Sequence, residues 1–167
     1  MEEINMLETQ EESNIFETED EARQWLHGFF TAYNERDWDT FFGTYVHDDC
    51  VFINANGIHS GKEKMIEFWE THIFNTKEET LMDPFNIFIR GNEVAAELPL
   101  KMTFKKPEIY AGIQFNEGDE ILLSCADFYK FKDRKICKFK VYRFSDWWIK
   151  NWENNLGEYE KMVNYGN

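Results

Sequence analysis

Basic side chains are scarce in this 167-residue chain, where 18 Lys and Arg stand against 32 Asp and Glu for a net charge of −14. The first twenty residues hold none, although eight acids lie there: Glu2, Glu3, Glu8, Glu11, Glu12, Glu17, Glu19 and Asp20. Setting those eight aside leaves −6 for the rest, an ordinary acidic surface. A phosphate backbone would be repelled rather than recruited, so nucleic-acid binding is disfavoured. Cysteine is scarce too. Cys50, Cys125 and Cys137 sit in apolar runs without CxxC spacing. An odd count with no visible leader points to buried thiols in a reducing compartment. No apolar run approaches a membrane span of about 20 residues, so no membrane partner is expected and the cytoplasm is the expected location. The four histidines are His27, His47, His59 and His72, and none lies on a predicted late strand. Their spacing from acids offers no metal site, and His47 beside Asp48-Asp49 reads as a solvated turn. No metal and no cofactor are expected. No internal repeat is visible.

Aromatic residues, by contrast, make up 17% of the chain, with 16 Phe, 7 Tyr and 6 Trp. Such a load suits an enclosed ligand cavity or a densely filled core. The length fits one domain. Residues 1–19 read as an acidic flexible arm or loosely docked turn, and residues 20–167 as the domain. Thr18 or Asp20 starts a helix whose aromatic face carries Trp25, Leu26, Phe29, Phe30 and Tyr33. Asp37-Trp38-Asp39 opens a short second helix with Phe41, Phe42 and Tyr45 on one side. A strand follows at Cys50–Asn54 and ends in an Asn56-Gly57 turn. Gly61 precedes a third helix bearing Met65, Ile66, Phe68 and Trp69. From about Leu81 the pattern is all strand: Asn86–Arg90, Val94–Phe104, Ile121–Phe131 and Ile136–Phe144. Lys105–Asp119 reads as a long excursion between strands. Ser145 or Asp146 is placed to cap a last helix with Trp148, Trp152, Leu156, Tyr159 and Val163. The order predicts an α+β fold, a curved, mostly antiparallel sheet wrapped around N-terminal helices as a cone, with a C-terminal helix near its mouth.

Several stretches resemble the nuclear transport factor 2-like superfamily, which includes ketosteroid isomerase, scytalone dehydratase, limonene epoxide hydrolase and SnoaL-type polyketide cyclases. Phe29-Phe30-Thr31-Ala32-Tyr33-Asn34-Glu35-Arg36-Asp37-Trp38-Asp39 is similar to the family's first helix exit. Tyr45-Val46-His47-Asp48-Asp49-Cys50-Val51-Phe52 is similar to its junction into the first strand. Gly61 with its helix, and Lys135-Ile136-Cys137 with Arg143-Phe144-Ser145-Asp146, resemble later elements. The likeness spans roughly residues 20–147 and implies the cone fold. Since that fold hosts many chemistries, it does not by itself imply one reaction.

The candidate residues follow from strand alternation and from this likeness. Tyr33 matches a substrate-orienting tyrosine of scytalone dehydratase; it is either a donor aimed into a dry cavity or a core tyrosine. Asn54 shares a strand face with Phe52 and stands where limonene epoxide hydrolase has a water-positioning asparagine. Ketosteroid isomerase has an aspartate base there, and an amide cannot replace it. Asp127 shares its strand face with Cys125, Tyr129 and Phe131, at a place resembling the isomerase's protonated aspartate. Burial would raise its pKa, making it an acid or base; the alternative is a carboxylate satisfied by a buried partner. Arg143, in line with Cys137, Phe139 and Val141, is the expected partner, and Tyr142 takes the pocket position if the strand flips. Phe29, Phe52, Trp69 and Tyr129 are expected to shape the pocket. Trp148 either covers a ligand or packs its helix onto the sheet.

The expectation is a cofactor-independent lyase, isomerase or cyclase acting on a small apolar oxygenated molecule such as a polyketide or terpenoid. Its alternative is a non-catalytic binding or interaction domain. The resemblance also implies a possible homodimer through the sheet.

Overall fold

The computed structural model describes residues 14–150, with side chains described through Arg143. Helix α1 (Glu19–Asn34) starts where Thr18 accepts a hydrogen bond from the Glu21 amide at 3.1 Å, and three acids in its first turn suit the macrodipole. Its apolar stripe buries Ala22, Leu26, Phe29, Phe30 and Tyr33. Asp37 caps the short α2 (Trp38–Thr40) by accepting from the Thr40 amide, and the chain runs on as a π-helical turn over Phe41–Tyr45. Helix α3 (Lys62–Phe68) likewise continues as a π-helical turn through Trp69–Phe74. These turns deliver Phe41, Phe42, Trp69 and Phe74 to the interior.

Nine strands follow the helices and interleave with them. β1 (Val46–Asn54) and β2 (Gly57–Ser60) form a hairpin whose turn needs Gly57 at φ 136°. β3 (Lys77–Leu81), β4 (Asn86–Arg90) and β5 (Glu93–Phe104) come next, then β6 (Glu108–Tyr110), β7 (Ile113–Phe115), β8 (Glu120–Lys132) and β9 (Lys135–Lys150). The main sheet runs β2-β1-β9-β8-β5-β3, with β4 also on β5. Among the described residues β1 and β9 pair in parallel and the other pairs are antiparallel. The inward rows of β5 (Val94, Ala96, Leu98, Leu100, Met102) and β8 (Ile121, Leu123, Cys125, Asp127, Tyr129) are buried against the helices. Among the described residues no helix is long and apolar enough to cross a membrane.

Four expectations need correction. Strand structure starts before Leu81, at Lys77; β3 hides because its inward positions, Lys77 and Glu79, are charged yet buried. The stretch 105–119 is not a bare excursion. It holds the β6–β7 hairpin, which forms its own two-stranded sheet and turns tightly at Ala111-Gly112. Cys137 is not on the inward row with Phe139. Lys130 pairs with Lys138 and Phe131 with Ile136, so Cys137 is the extra residue of a bulge, half-buried, while Ile136 is buried. Cys50 and Cys125 are buried as expected.

The fourth correction concerns the C-terminal side. Residues 145–150 do not begin a helix, because β9 continues to Lys150 and places Trp148 opposite Leu123. A polar Ser145-Asp146 cap signal is absorbed by an irregularity, since Ser124 pairs with Phe144 and Leu123 with Trp148. The adjoining Trp-Trp-Ile has strong strand preference and an open partner in β8. The side chain of Trp148 lies outside the described ones. Residues 1–13 of the acidic arm, and Trp152, Leu156, Tyr159 and Val163, lie outside the described residues. Of the remaining arm, Phe16 is fully buried and packs edge-on to Phe131 at 5.3 Å.

Candidate active site

A cavity of about 550 Å³ lies between the helices and the inner face of the sheet. Its walls are aromatic: Phe29 from α1, Phe41 and Trp69 from the two π-helical turns, Phe52 from β1, and Phe139 from β9. The walls brace one another. Phe52 stacks on Phe139 at 4.5 Å between centroids, and Phe29 stacks on Phe41 at 5.0 Å. Both helical turns gain an extra residue per turn where they present these rings, so their π geometry belongs to the construction of the wall.

Polar groups converge on one region of that wall. Asp127 on β8 is only 3% exposed and lines the cavity. Its Oδ2 accepts a hydrogen bond from the Tyr129 hydroxyl at 2.8 Å, whereas Oδ1 is buried and has no hydrogen-bond partner among the described residues. Burial pushes the carboxyl up to about 7; the Tyr129 bond and Arg143 pull against that, and Glu79 adds to it. The group therefore exchanges its proton near neutrality. Burial also raises the phenols of Tyr33 and Tyr129 well above their ordinary range.

Arg143 does point inward, but its partner is not Asp127. Asp127 stands opposite Val141, which makes Arg143 a diagonal neighbour roughly 7–8 Å away along the sheet. The guanidinium reaches instead across the cavity to Glu79 on β3, with Nη2 at 2.8 Å from Oε1. In a flat sheet three strand spacings, about 14 Å, would separate β9 from β3. The contact is made because the sheet curls. The Glu79 side chain is 3% exposed and that of Arg143 30%, so the acid is the interior partner and the base stands at the rim. Burial works against the charge on Arg143, but Glu79, Tyr110 and Cys125 together outweigh it and hold the guanidinium firmly protonated.

Tyr33 donates to the other Glu79 oxygen at 3.3 Å, and Tyr110 lies 3.4 Å from Arg143 Nη1. Glu79 and Tyr110 were not singled out in the sequence. The readable signal for Glu79 was the alternation Lys77, Glu79, Leu81 after the third helix, which two charged residues disguise as a solvated stretch. Tyr110 arrives on the β6–β7 hairpin, whose base is held by the buried Lys77 in an ion pair of 3.0 Å with Glu108 and by Phe115 stacked on Phe104 at 4.4 Å.

The other expected residues divide clearly. Phe29, Phe52 and Trp69 line the cavity, as do Tyr33 and Asn54. The amide oxygen of Asn54 is engaged by its own turn, accepting from the Asn56 backbone at 2.8 Å. Tyr129 is not a lining residue; it stands behind Asp127, edge-on to Phe29 at 5.7 Å. Tyr142 and Arg143 both border the cavity, but the Tyr142 ring lies largely outside, edge-on to Phe128 at 5.8 Å. Among the described residues no group of three His, Cys, Asp or Glu side chains could hold a metal ion.

Residues 26–139, which supply most of this cavity, match a family model described as a SnoaL-like domain. The chain belongs to the SnoaL-like family. Solved structures agree on the fold. A candidate polyketide cyclase from a Silicibacter species is 23% identical, with a TM-score of 0.60 over 74% of this chain and 88% of that one. A candidate polyketide cyclase from Xanthomonas campestris pv. campestris is 19% identical, with a TM-score of 0.61 over 85% and 98%. A SnoaL-like polyketide cyclase from Agrobacterium tumefaciens is 18% identical, with a TM-score of 0.58 over 80% and 95%. A search of curated protein sequences finds no match. At these identities the likeness carries the SnoaL-like fold, and the chemistry has to be argued from the residues of this cavity.

Proposed function

We propose that the SnoaL-like cavity is the active site of a cofactor-independent lyase, isomerase or cyclase acting on a small apolar oxygenated molecule, of polyketide or terpenoid character. The placement of Asp127 carries this reading: it is buried, lines the cavity and keeps one oxygen without a partner among the described residues, and burial lifts its carboxyl to about 7. These are the properties required of a general acid–base group at neutral pH. In its ionised form Oδ1 takes a proton from a carbon next to a carbonyl. The negative charge then passes to the carbonyl oxygen, which Arg143 stabilises from the rim. Return of the proton to another carbon gives an isomer; departure of a β-hydroxyl, protonated by Asp127, gives a dehydrated product. Tyr33 and Asn54 orient the substrate, and the aromatic wall of Phe29, Phe52 and Trp69 excludes water from it.

The test is incubation in D2O with a panel of aryl ketones, cyclic enones and 1,3-diketones, read by mass spectrometry. Deuterium is expected at the α-carbon of at least one compound, faster than in buffer and dependent on Asp127. If no member exchanges faster than in buffer, or if Asp127→Asn exchanges as fast as the parent, the reading is wrong.

A second reading, an interaction domain that pairs through its sheet, is favoured by the outer face. Phe88 (67% exposed), Phe128 (50%) and Tyr142 (44%) stand there on β4, β8 and β9. Phe88 and Phe128 are both opposite Ala95, so they form one lateral row, and Tyr142 packs beside Phe128. A patch of large apolar side chains in this position suits a second copy of the chain. Light scattering is expected to give a dimer mass for the parent and a monomer mass for Phe128→Glu. A parent that stays monomeric at micromolar concentration removes this reading and leaves the enzyme reading standing.

A further inference from the structure

The two oxygens of Asp127 are not equivalent. Oδ2 accepts from Tyr129, whose ring sits in the wall behind the carboxyl and does not touch the cavity. Oδ1 is buried without a partner among the described residues, on a residue that does line the cavity. A buried polar atom left unpaired in a folded protein calls for an explanation, and a ligand atom supplies one. We propose that Tyr129 is a positioning residue that holds Oδ2 as an acceptor, so that Oδ1 alone bonds to and exchanges a proton with a neutral aromatic ligand bearing a carbonyl or hydroxyl oxygen. This rests on the cavity being the ligand site argued above and deepens it to a ligand class.

The consequence is a change of preference with pH. With Oδ2 occupied, the proton of the neutral acid sits on Oδ1, which then donates to a carbonyl oxygen. Once ionised, Oδ1 can only accept, and a hydroxyl becomes its complement. The groups facing the carboxyl are Tyr33 from α1, Glu79 from β3, Cys125 and Tyr129 on β8, and Arg143 from β9. Burial raises Tyr33, Cys125 and Tyr129, so all three stay protonated across the neutral range. Arg143 stays charged against Glu79, and their opposing effects on Asp127 offset each other within one ion pair. Beside Asp127 the charge of Arg143 is already opposed by Glu79, which favours a neutral ligand over an anionic one at Oδ1.

The experiment compares 2-acetonaphthone, an acceptor, with 2-naphthol, a donor of the same ring size, by quenching of tryptophan fluorescence in the full chain. Between pH 6 and 8, Kd for the ketone is expected to rise about tenfold and Kd for the naphthol to fall about tenfold. The curves cross near the Asp127 midpoint of about 7. Tyr129→Phe removes the donor that favours the ionised form, so the crossing should move up by about one pH unit. Asp127→Asn should abolish it. Parallel curves for the two ligands, failure of both to bind, or an unmoved crossing in folded Tyr129→Phe would each overturn the proposal. A measurement on the parent alone guards against a misfolded variant: the ring-carbon resonance of labelled Tyr129 must titrate with the same midpoint as the crossing. Its independence of that midpoint counts against the proposal. Crossing curves without deuterium exchange in any ketone would sink the catalytic reading while leaving this pair as a ligand selector. Exchange without crossing would do the reverse.

Discussion

Asp127→Asn is expected to fold, to be more stable than the parent at pH 8, and to lose deuterium exchange by a factor of about 10²–10⁴. The stability term follows from linkage. Folding raises this carboxyl from an ordinary 3.8 to about 7, chiefly by burial. Between those values the folded protein holds a proton that the unfolded chain has released, so stability declines as pH rises through the window. Below about pH 4 both states are protonated and the parent has its full stability; above about 7 the decline is complete. The whole difference is on the order of 4 kcal/mol. Asparagine removes it, keeps an oxygen for the Tyr129 hydroxyl, and leaves an amide N–H₂ facing the cavity at a cost of about 1–3 kcal/mol. The net expectation is a gain of about 1–3 kcal/mol at pH 8 that turns into a loss of about 1–3 kcal/mol near pH 4, where the amide cost stands almost alone. Urea unfolding of both proteins across pH 4–8 measures it. A parent stability that is flat in pH while the variant is equally flat would contradict the burial of an ionisable Asp127.

Arg143→Met is expected to lower unfolding stability at neutral pH by about 3 kcal/mol, despite the exposed position of the arginine. The loss falls on the other partner. Glu79 is the interior member of the pair, 3% exposed, and without Arg143 its remaining side-chain bond is the 3.3 Å contact from Tyr33. An interior carboxylate stripped of its counter-ion costs more than the pair itself contributes, so the variant is worse than a protein lacking both groups. Glu79→Leu in the Arg143→Met background should recover most of the stability, whereas additive losses in the double variant would show that the pair is not coupled. Arg143→Lys should recover part, because an ammonium keeps the charge but not the planar fork. The same substitution bears on chemistry. Arg143 pulls the Asp127 carboxyl downward, so removing it should raise that midpoint further and carry the pH profile of exchange with it.

Much of this molecule was legible in one dimension. The helical spacing of Phe29, Phe30 and Tyr33 and the Thr18 start signal correspond to α1. The alternation Cys125, Asp127, Tyr129, Phe131 corresponds to the buried row of β8. Both depend only on local periods of 3.6 and 2, which a chain carries wherever it is placed. The inward position of Asp127 was therefore readable, and burial of a carboxyl among aromatic residues is enough to raise its pKa.

Local period says nothing about which side chains meet across a curled sheet. Arg143 was expected on Asp127 because the two lie on adjacent inward rows. The curl brings β3 round instead, and Glu79, 64 residues upstream, takes the arginine. Tyr110 reaches the rim on a hairpin that forms a separate two-stranded sheet, and Cys137 leaves its row because a bulge resets the register. Ser145-Asp146 reads as a helix cap in isolation, yet an open β8 edge draws the chain on as strand to Lys150. The α+β cone, the aromatic interior and a carboxyl facing into it follow from the residue order, because these need only periodicity and hydrophobicity. How that carboxyl is partnered follows from the folded sheet alone. It is bonded to Tyr129 on one side, without a partner among the described residues on the other, and unpaired with Arg143, since partner choice is set by long-range register and sheet curvature.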